Sequence, residues 1–427
     1  MAAAFDPAAR LELEGKIKLA FSPHSPINQV SFFSGRIDQI RAVADTVTTP
    51  GLHAVLYGER GVGKTSLTNV ISQILSVVKG MSRVQCSQQD SFEAVIRRSL
   101  AGVVWSEEKG PVGFTGASAK QVKNLGQLLP SRANGNLLSP DTVAGLLSVL
   151  PPYVVLVVDE FDRLPRSETA DFADLMKALS DRGATMTLVL VGVAEDINHL
   201  IENHASVERC MRQIRLLRMS DGELGEIIDR ALTATGFSVE SPDLKGNIVI
   251  LSQGFPHYVH ALGQNAARNA LDGGRLVINL DDVLRGMVQI VEYGDQSHRE
   301  LYHLAITGTK KRSLWREVVA ACAHAETDER GYFSSRAVQE SLSMILGRPV
   351  IQQTVAFHLG KLTDASHGPL LERTGPERRY RYRFINPMMR PFVYIKATTD
   401  GMIPPIIQIG PPPDSGGGST TTREVNP

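Results

Sequence analysis

One loop in this chain has the residues and spacing to grip phosphate. Gly58-Glu59-Arg60-Gly61-Val62-Gly63-Lys64-Thr65 fits the spacing G-x-x-x-x-G-K-[ST], with Ser66 directly after it. Glycines let the backbone N–H groups wrap phosphate oxygens, Lys64 reaches the β and γ oxygens, and the Thr65 hydroxyl can hold Mg2+. A second acidic element lies a hundred residues on, where the apolar run Tyr153-Val154-Val155-Leu156-Val157-Val158 ends in Asp159 and Glu160. Two carboxylates at a strand tip are costly without a cation nearby. Asp159 is the expected Mg2+ partner through water, and Glu160 is placed to polarise the water that attacks a γ-phosphate. Together they predict ATP binding with Mg2+ and an ATPase, slow or stimulated by a partner.

That chemistry needs a strand before the loop and a helix after it, because a helix N-terminus favours anions. HAVLY precedes the loop and SLTNVISQIL follows it. From residue 30 to 219, the β-rich runs HAVLY, SRVQC, YVVLVV, TLVLV and QIRLL alternate with amphipathic helical stretches, the pattern of a parallel sheet in an α/β domain. YVVLVV is apolar throughout, as a strand buried on both faces should be. Helical patterns such as GELGEIIDRALTAT and HYVHALGQNAARNAL take over at 220–295 and predict a helical lid. Residues 296–397 form a third unit of helices and a hairpin, 1–29 are an N-terminal extension, and 398–427, rich in Pro, Gly, Ser and Thr, are expected to be a disordered tail.

Composition narrows the class further. Among 427 residues, 45 basic and 45 acidic side chains cancel, which excludes a protein that coats nucleic acid or anionic membrane with its whole surface. The three cysteines, Cys86, Cys210 and Cys322, lie far apart and fit reduced thiols in a cytoplasmic protein. The longest aliphatic run, Val154 to Val158, is too short to cross a bilayer, and the first residues lack the apolar core of a signal peptide. Histidines and cysteines show no metal-ligand spacing. Cys322-Ala-His324 reads as packing, and no nucleophile elbow is present.

FFSGR at residues 32 to 36, GERGVGKTS, VVLVVDEFDRL and SQGFPHYVHALG together resemble the initiator-type branch of AAA+ ATPases, the origin-recognition ATPases, and their relatives the STAND signalling ATPases. The resemblance covers about residues 30 to 290, and the helices and hairpin beyond it resemble a winged-helix domain. It implies an AAA+ type P-loop sheet with a helical lid, and it implies that Gly35-Arg36 opens the segment packed against adenine. Where AAA+ enzymes carry a polar sensor, this chain has Gly192-Val193-Ala194, with Glu195 and Asn198 the nearest polar groups. Gly254-Phe255-Pro256-His257 is closer to the Gly-x-Pro element of STAND proteins. By that resemblance Pro256 touches adenine, and His257 either reads the phosphates or is a satisfied helix-start histidine. Arg209, Arg212, Arg215 and Arg218 recur every three residues. Family position makes Arg209 the candidate arginine finger toward a neighbouring subunit of a homo-oligomer, and solvated charge is the competing reading.

PLLERT and RRYRYRF flank Gly375-Pro376-Glu377 and predict a hairpin with a short turn. A period of two sends Arg379, Arg381 and Arg383 to one face and Tyr380, Tyr382 and Phe384 to the other. Between Leu370 and Arg383, five arginines against two glutamates leave a net +3, enough to neutralise a few phosphates. In a winged helix these arginines, Arg378 among them, would lie along a double-stranded DNA backbone, and VIQQTVAFHLGKL would enter the major groove with Gln352, preceded by Arg348. Exposed arginines also protect a sheet edge, and winged helices in STAND proteins bind protein partners. DNA and protein targets both stay open.

Overall fold

In the computed structural model, the described residues are 5–27, 33–75, 80–109, 119–129, 138–148, 154–194, 207–307, 314–365, 368–377 and 379–404. Helix α1 (Pro7–Ala20) and α2 (Ile37–Val47) lead into β1 (His53–Gly58), the phosphate loop and α3 (Lys64–Leu75). There follow β2 (Met81–Gln85), α4 (Phe92–Ala101), the hairpin β3 (Val104–Lys109) and β4 (Ala119–Asn124), α5 (Pro140–Leu147) and β5 (Val155–Asp159). Helix α6 (Arg166–Asp181), β6 (Thr187–Val193) and β7 (Met211–Arg215) complete this part. The main sheet is parallel in the order β2-β5-β6-β1-β7. Every residue of β5 is buried, as the unbroken apolar run predicts. Because β6 lies between β1 and β5, the phosphate loop and the acidic pair emerge at the same sheet edge, one strand apart. This is the expected P-loop α/β architecture.

The lid comprises α7 (Asp221–Thr235), β8 (Ser238–Val239), α8 (Pro242–Ser252), α9 (Pro256–Asp272), β9 (Val277–Ile278) and α10 (Leu280–Tyr293). Local rules set its boundaries. Ser220 and Glu223 form a reciprocal capping box at the start of α7, and Pro256 occupies the first position of α9, where its missing N–H costs nothing. Residues 1–29, an extension by sequence, contain α1, which packs on α7 and α9 with Ile17 and Phe21 fully buried. The close approach requires Gly263, since a Cβ there would stand 2.3 Å from the Phe21 ring.

The last unit holds α11 (Gln296–Ile306), α12 (Trp315–His324), β10 (Phe333–Ser334), α13 (Ser335–Leu346), α14 (Gln352–Leu362), β11 (Leu371–Thr374), β12 (Arg381–Phe384) and α15 (Met389–Thr399). Val318 and Cys322 of α12 are fully buried, as is every residue from Val318 to Ala323, so this helix is enclosed on all sides. Three departures from the sequence reading appear here. The hairpin is shorter than expected: Thr374 pairs with Arg381, so Arg379 and Tyr380 belong to the connection and not to the strand. A further helix, α15, follows it, and packing continues through Ile403, which is 1% exposed, past the expected tail boundary at 398. The stretch from Glu107 to Asn136, whose glycines and lysines suggest a long loop, carries part of the β3–β4 hairpin.

Candidate nucleotide site

At the sheet edge, Gly61 and Gly63 adopt φ of 90° and 91°, a region open to glycine, and curl the backbone ahead of α3. Lys64 is buried and folds back to donate to the carbonyls of Gly58 (2.9 Å) and Glu59 (2.7 Å). Burial lowers its pKa to about 8, against the opposing pull of Asp162, Asp159 and Glu59. Asp159 is 3% exposed, and both its oxygens are engaged: Oδ1 accepts from the Glu160 N–H at 2.8 Å and Oδ2 from Arg83 Nη2 at 2.5 Å. Arg83, on β2, also donates to Asn69 of α3, so it ties the acidic strand to the helix that follows the phosphate loop. Glu160 sits in the left-handed region at φ 55°, rare for a residue with a side chain, and its carboxylate accepts from Arg163 at 2.7 Å. Asp162 accepts from the Val193 N–H at 2.7 Å, closing the tip of β6 onto the acidic loop.

Over this edge runs a strap, residues 21–27, that sequence leaves unassigned. The Ile27 N–H donates to Ser66 Oγ at 3.2 Å, and the Gln264 side-chain amide donates to the Phe21 carbonyl, so the strap spans α3 and α9. His257 Nδ1 lies 2.8 Å from the Pro23 carbonyl. A carbonyl only accepts, so Nδ1 carries the proton and Nε2 is left as an acceptor. Burial lowers the pKa of His257, which favours that neutral form. A neutral Nε2 facing phosphate would repel it, and the geometry matches the satisfied helix-start histidine. Arg36 is a clamp: its N–H donates to Glu223 at 3.1 Å, and its guanidinium donates to the carbonyls of Val62 (3.3 Å) and Leu217. Gly35, at φ 71°, brings the backbone against the Glu223 side chain.

The phosphate loop, the acidic pair, the strap and α9 line one cleft of about 1420 Å³, to which the C-terminal unit adds His298, Asn386, Met388 and Phe392. Tyr258 donates its hydroxyl to the Met388 carbonyl at 2.9 Å. A Cβ at Gly61 would stand 2.3 Å from Met388 Sδ, so the last unit rests directly on the phosphate loop. Glu59 of that loop accepts from Arg218 at 2.5 Å, Arg218 stacks over Phe255 at 4.8 Å, and its guanidinium lies against Gly331.

Residues 24–255, more than half of the chain, match the family described as Novel STAND NTPase 1. The chain belongs to that family of NTPases. Among solved structures, this STAND NTPase is similar to Aeropyrum pernix ORC2 in its ADPNP–ADP complexes, at 14% identity and a TM-score of 0.47, with 90% of this chain and 98% of that chain covered. Aeropyrum pernix ORC1 in complex with DNA gives 14% identity, a TM-score of 0.44 and coverage of 90% and 97%. The Thermotoga maritima RuvB Holliday junction branch migration motor gives 17%, 0.40, and 83% and 93%. No curated protein matches the chain in sequence.

The STAND NTPase thus brings Lys64, Thr65, Asp159, Glu160, Arg36, Pro256 and His257 into one cleft. Arg209 is elsewhere: it is exposed, pairs with Asp181 at 2.7 Å and lies outside the cleft lining. Arg218, the last of the same arginine series, is the one that reaches the phosphate loop. Glu195 and Asn198 fall outside the described residues, as does Arg378. Arg348, Gln352 and Arg379 are exposed. The expected outward face of arginines is in part tied down, because β12 pairs with β10 as well as β11. Arg381 donates to the Tyr332 carbonyl at 3.1 Å and pairs with Asp328 at 3.3 Å, while Arg383 pairs with Glu372 and stacks over Tyr332. The alternation itself holds: Tyr382 and Phe384 are buried. Missed by sequence were the strap, Arg83, Arg218 and the C-terminal residues at the cleft. Apart from Arg218, which the three-residue spacing marks, no local signal points to them.

Proposed function

We propose that this chain is an ATP-binding, slowly hydrolysing switch, in which the nucleotide held between phosphate loop and lid sets whether the C-terminal unit stays on the loop. The observation that carries this reading is the shared cleft: Met388, Asn386, Phe392 and His298 of the last unit line the same space as Gly61, Lys64 and Asp159. A change of phosphate content at the loop therefore changes what the C-terminal unit packs against. The Thr65 hydroxyl and Asp159 carboxylate are hard oxygen donors of the kind Mg2+ takes, and a bound Mg2+ would neutralise charge on the phosphates. Lys64 exchanges its two loop carbonyls for phosphate oxygens. Glu160 orients the attacking water once it leaves Arg163, and the exposed rim position of that ion pair makes the exchange cheap.

The order α12, β10, α13, α14, β11, β12 supports reading this unit as a winged helix. We read this unit as the output, with a protein partner favoured over DNA. Supporting that choice, Arg381 and Arg383 are engaged within the unit, and α13, α14 and the turn between them expose Met344 (48%), Ile351 (66%) and Phe357 (60%). Such apolar groups match a protein surface better than a phosphate backbone. Calorimetry on the full chain is the direct test: ATP and ADP should each bind, and Lys64→Ala should weaken both. No heat of association with either nucleotide sinks the reading.

A further inference from the structure

Helix α1 buries one face and leaves the opposite one bare. Ile17 and Ala20 are buried where the helix packs on α7 and α9. On the far side Leu11 is 72% exposed and Leu19 63%, with Gly15 midway between them at a spacing of four. At about 100° per residue these three fall within about 80° of arc, roughly opposite Ile17 and Ala20. We infer that this stripe docks a second copy of the chain, the two α1 helices crossing antiparallel at Gly15 about a two-fold axis. Residues of α1 lie outside the lining of the nucleotide cleft, so this surface stands apart from the nucleotide reading.

Gly15 is out of place by local rules. It sits in the middle of a helix, where glycine is the poorest residue short of proline, and a Cβ there would meet nothing within 4 Å. Packing among the described residues does not ask for it. Glycine at such a point lets another backbone approach closely, which suits the place where a second helix crosses.

Charge decides the occupant and its direction. The helix is acidic just before Gly15, at Glu12 and Glu14, and basic just after it, at Lys16 and Lys18. Helical spacing sets Glu12 and Lys16, which pair at 2.7 Å, on one flank of the stripe, and Glu14 and Lys18 on the other. A two-fold axis through Gly15 lays the acidic half of one copy along the basic half of the other. Leu11 then comes level with the second copy's Leu19. On one flank Glu12 lies within a turn of the second copy's Lys16, and on the other Glu14 lies within a turn of its Lys18. Every contact occurs twice, as an isologous interface requires. A parallel pair would set Glu beside Glu and Lys beside Lys, so the segment complements itself in one direction only. Balanced charge also disfavours an anionic lipid surface, which attracts a basic face. A single helix pair is a small interface, and the association it supports is weak.

Sedimentation equilibrium of the full chain, up to roughly 100 μM, reads the association. Wild type should dimerise, and Leu11→Asp and Gly15→Arg should each weaken the dimer at least about tenfold. Glu12→Lys should weaken it roughly threefold, and Glu12→Lys combined with Lys16→Glu should restore it. Leu11 and Gly15 are exposed, so the dilute Leu11→Asp and Gly15→Arg chains should melt at the wild-type temperature or above. Disulfide trapping under mild oxidation reads the direction, since the three native cysteines are buried. Gly15→Cys should give a linked dimer on a non-reducing gel. Ala8→Cys should not, because the antiparallel crossing holds the two copies of residue 8 about 21 Å apart. A linked dimer from Ala8→Cys but not from Gly15→Cys overturns the inference, as does a lowered melting temperature in both dilute variants. Wild type that stays monomeric throughout overturns it too; if Leu11→Asp then also loses binding to vesicles of anionic lipid, the stripe is a membrane surface instead.

Discussion

At the scale of single residues, the two charges at the acidic strand end have different surroundings and should answer differently to substitution. Glu160 is half-exposed and bonded only at its rim, so Glu160→Gln should hold ATP within a few-fold of wild type while turnover falls at least about a hundredfold. Phosphate release and nucleotide binding measured on the same preparation decide it, and unchanged turnover removes the assigned role. Asp159 is deeply buried and paired with Arg83, itself only 23% exposed. Removing one partner leaves a buried charge, so Arg83→Gln should lower the stability of the nucleotide-free protein by roughly 1–3 kcal/mol. Mg2+ with ADP should then restore more of the melting temperature in the variant than in wild type. Thermal scans with and without Mg2+ and ADP check this. Asp159 is plain in the sequence because an apolar run ends on it, whereas Arg83 carries no mark, because its partner is 76 residues away.

Between elements, His53 shows how a buried polar group fixes strand against helix. Its Nε2 donates to the Met176 carbonyl of α6 at 3.1 Å, and its Nδ1 accepts from the Leu188 N–H of β6 at 3.1 Å, so one ring joins three elements. Burial lowers its pKa to about 4, below the ordinary value of 6.5. As pH falls, the unfolded chain takes the proton first; stability is full above about 6.5 and is lost between 6.5 and 4. His260 shifts in the same direction, to about 4. Each histidine should cost roughly 1 kcal/mol per pH unit across that window. Melting temperatures from pH 7 down to 5 should fall in wild type and fall less steeply in His53→Gln. A flat profile in wild type rejects the account. Elements with a clear pattern, the unbroken apolar run of β5 and the helical period of α7 and α9, were legible from sequence alone. Helix α1 was not, because Leu11 and Leu19 face water and blur the pattern, and α15 was hidden by Pro391 in its first turn.

For the whole molecule, the decisive contact is that of the C-terminal unit with the phosphate loop. Met388→Glu puts a carboxylate where Sδ now rests beside Gly61, and Arg218→Ala removes the bond to Glu59. Both variants should speed release of a fluorescent ADP, by about tenfold for Met388→Glu, with Lys64, Asp159 and Glu160 untouched. A stopped-flow chase reads this directly, and release at the wild-type rate in both separates the unit from the nucleotide. Changing Arg379, Arg381 and Arg383 together to Ala should lower the melting temperature, because two of the three brace the hairpin within its unit. It should leave duplex-DNA retention unaltered across a salt series. A salt-dependent loss of DNA in that variant would restore the DNA reading.

Sequence by itself determined the phosphate loop, the acidic pair, the parallel sheet that carries them and the lid that follows. In each case the chemistry sits in a short stretch whose spacing is the mechanism, or in a period that burial imposes. Tertiary structure alone decided what closes the cleft: the strap bonded across 234 residues to His257, Arg83 at Asp159, and Met388 at Gly61. It also decided that two arginines of the C-terminal stripe are spent on their own unit. Such pairs depend on how separate elements come to lie together, and neither partner carries a local trace of the other.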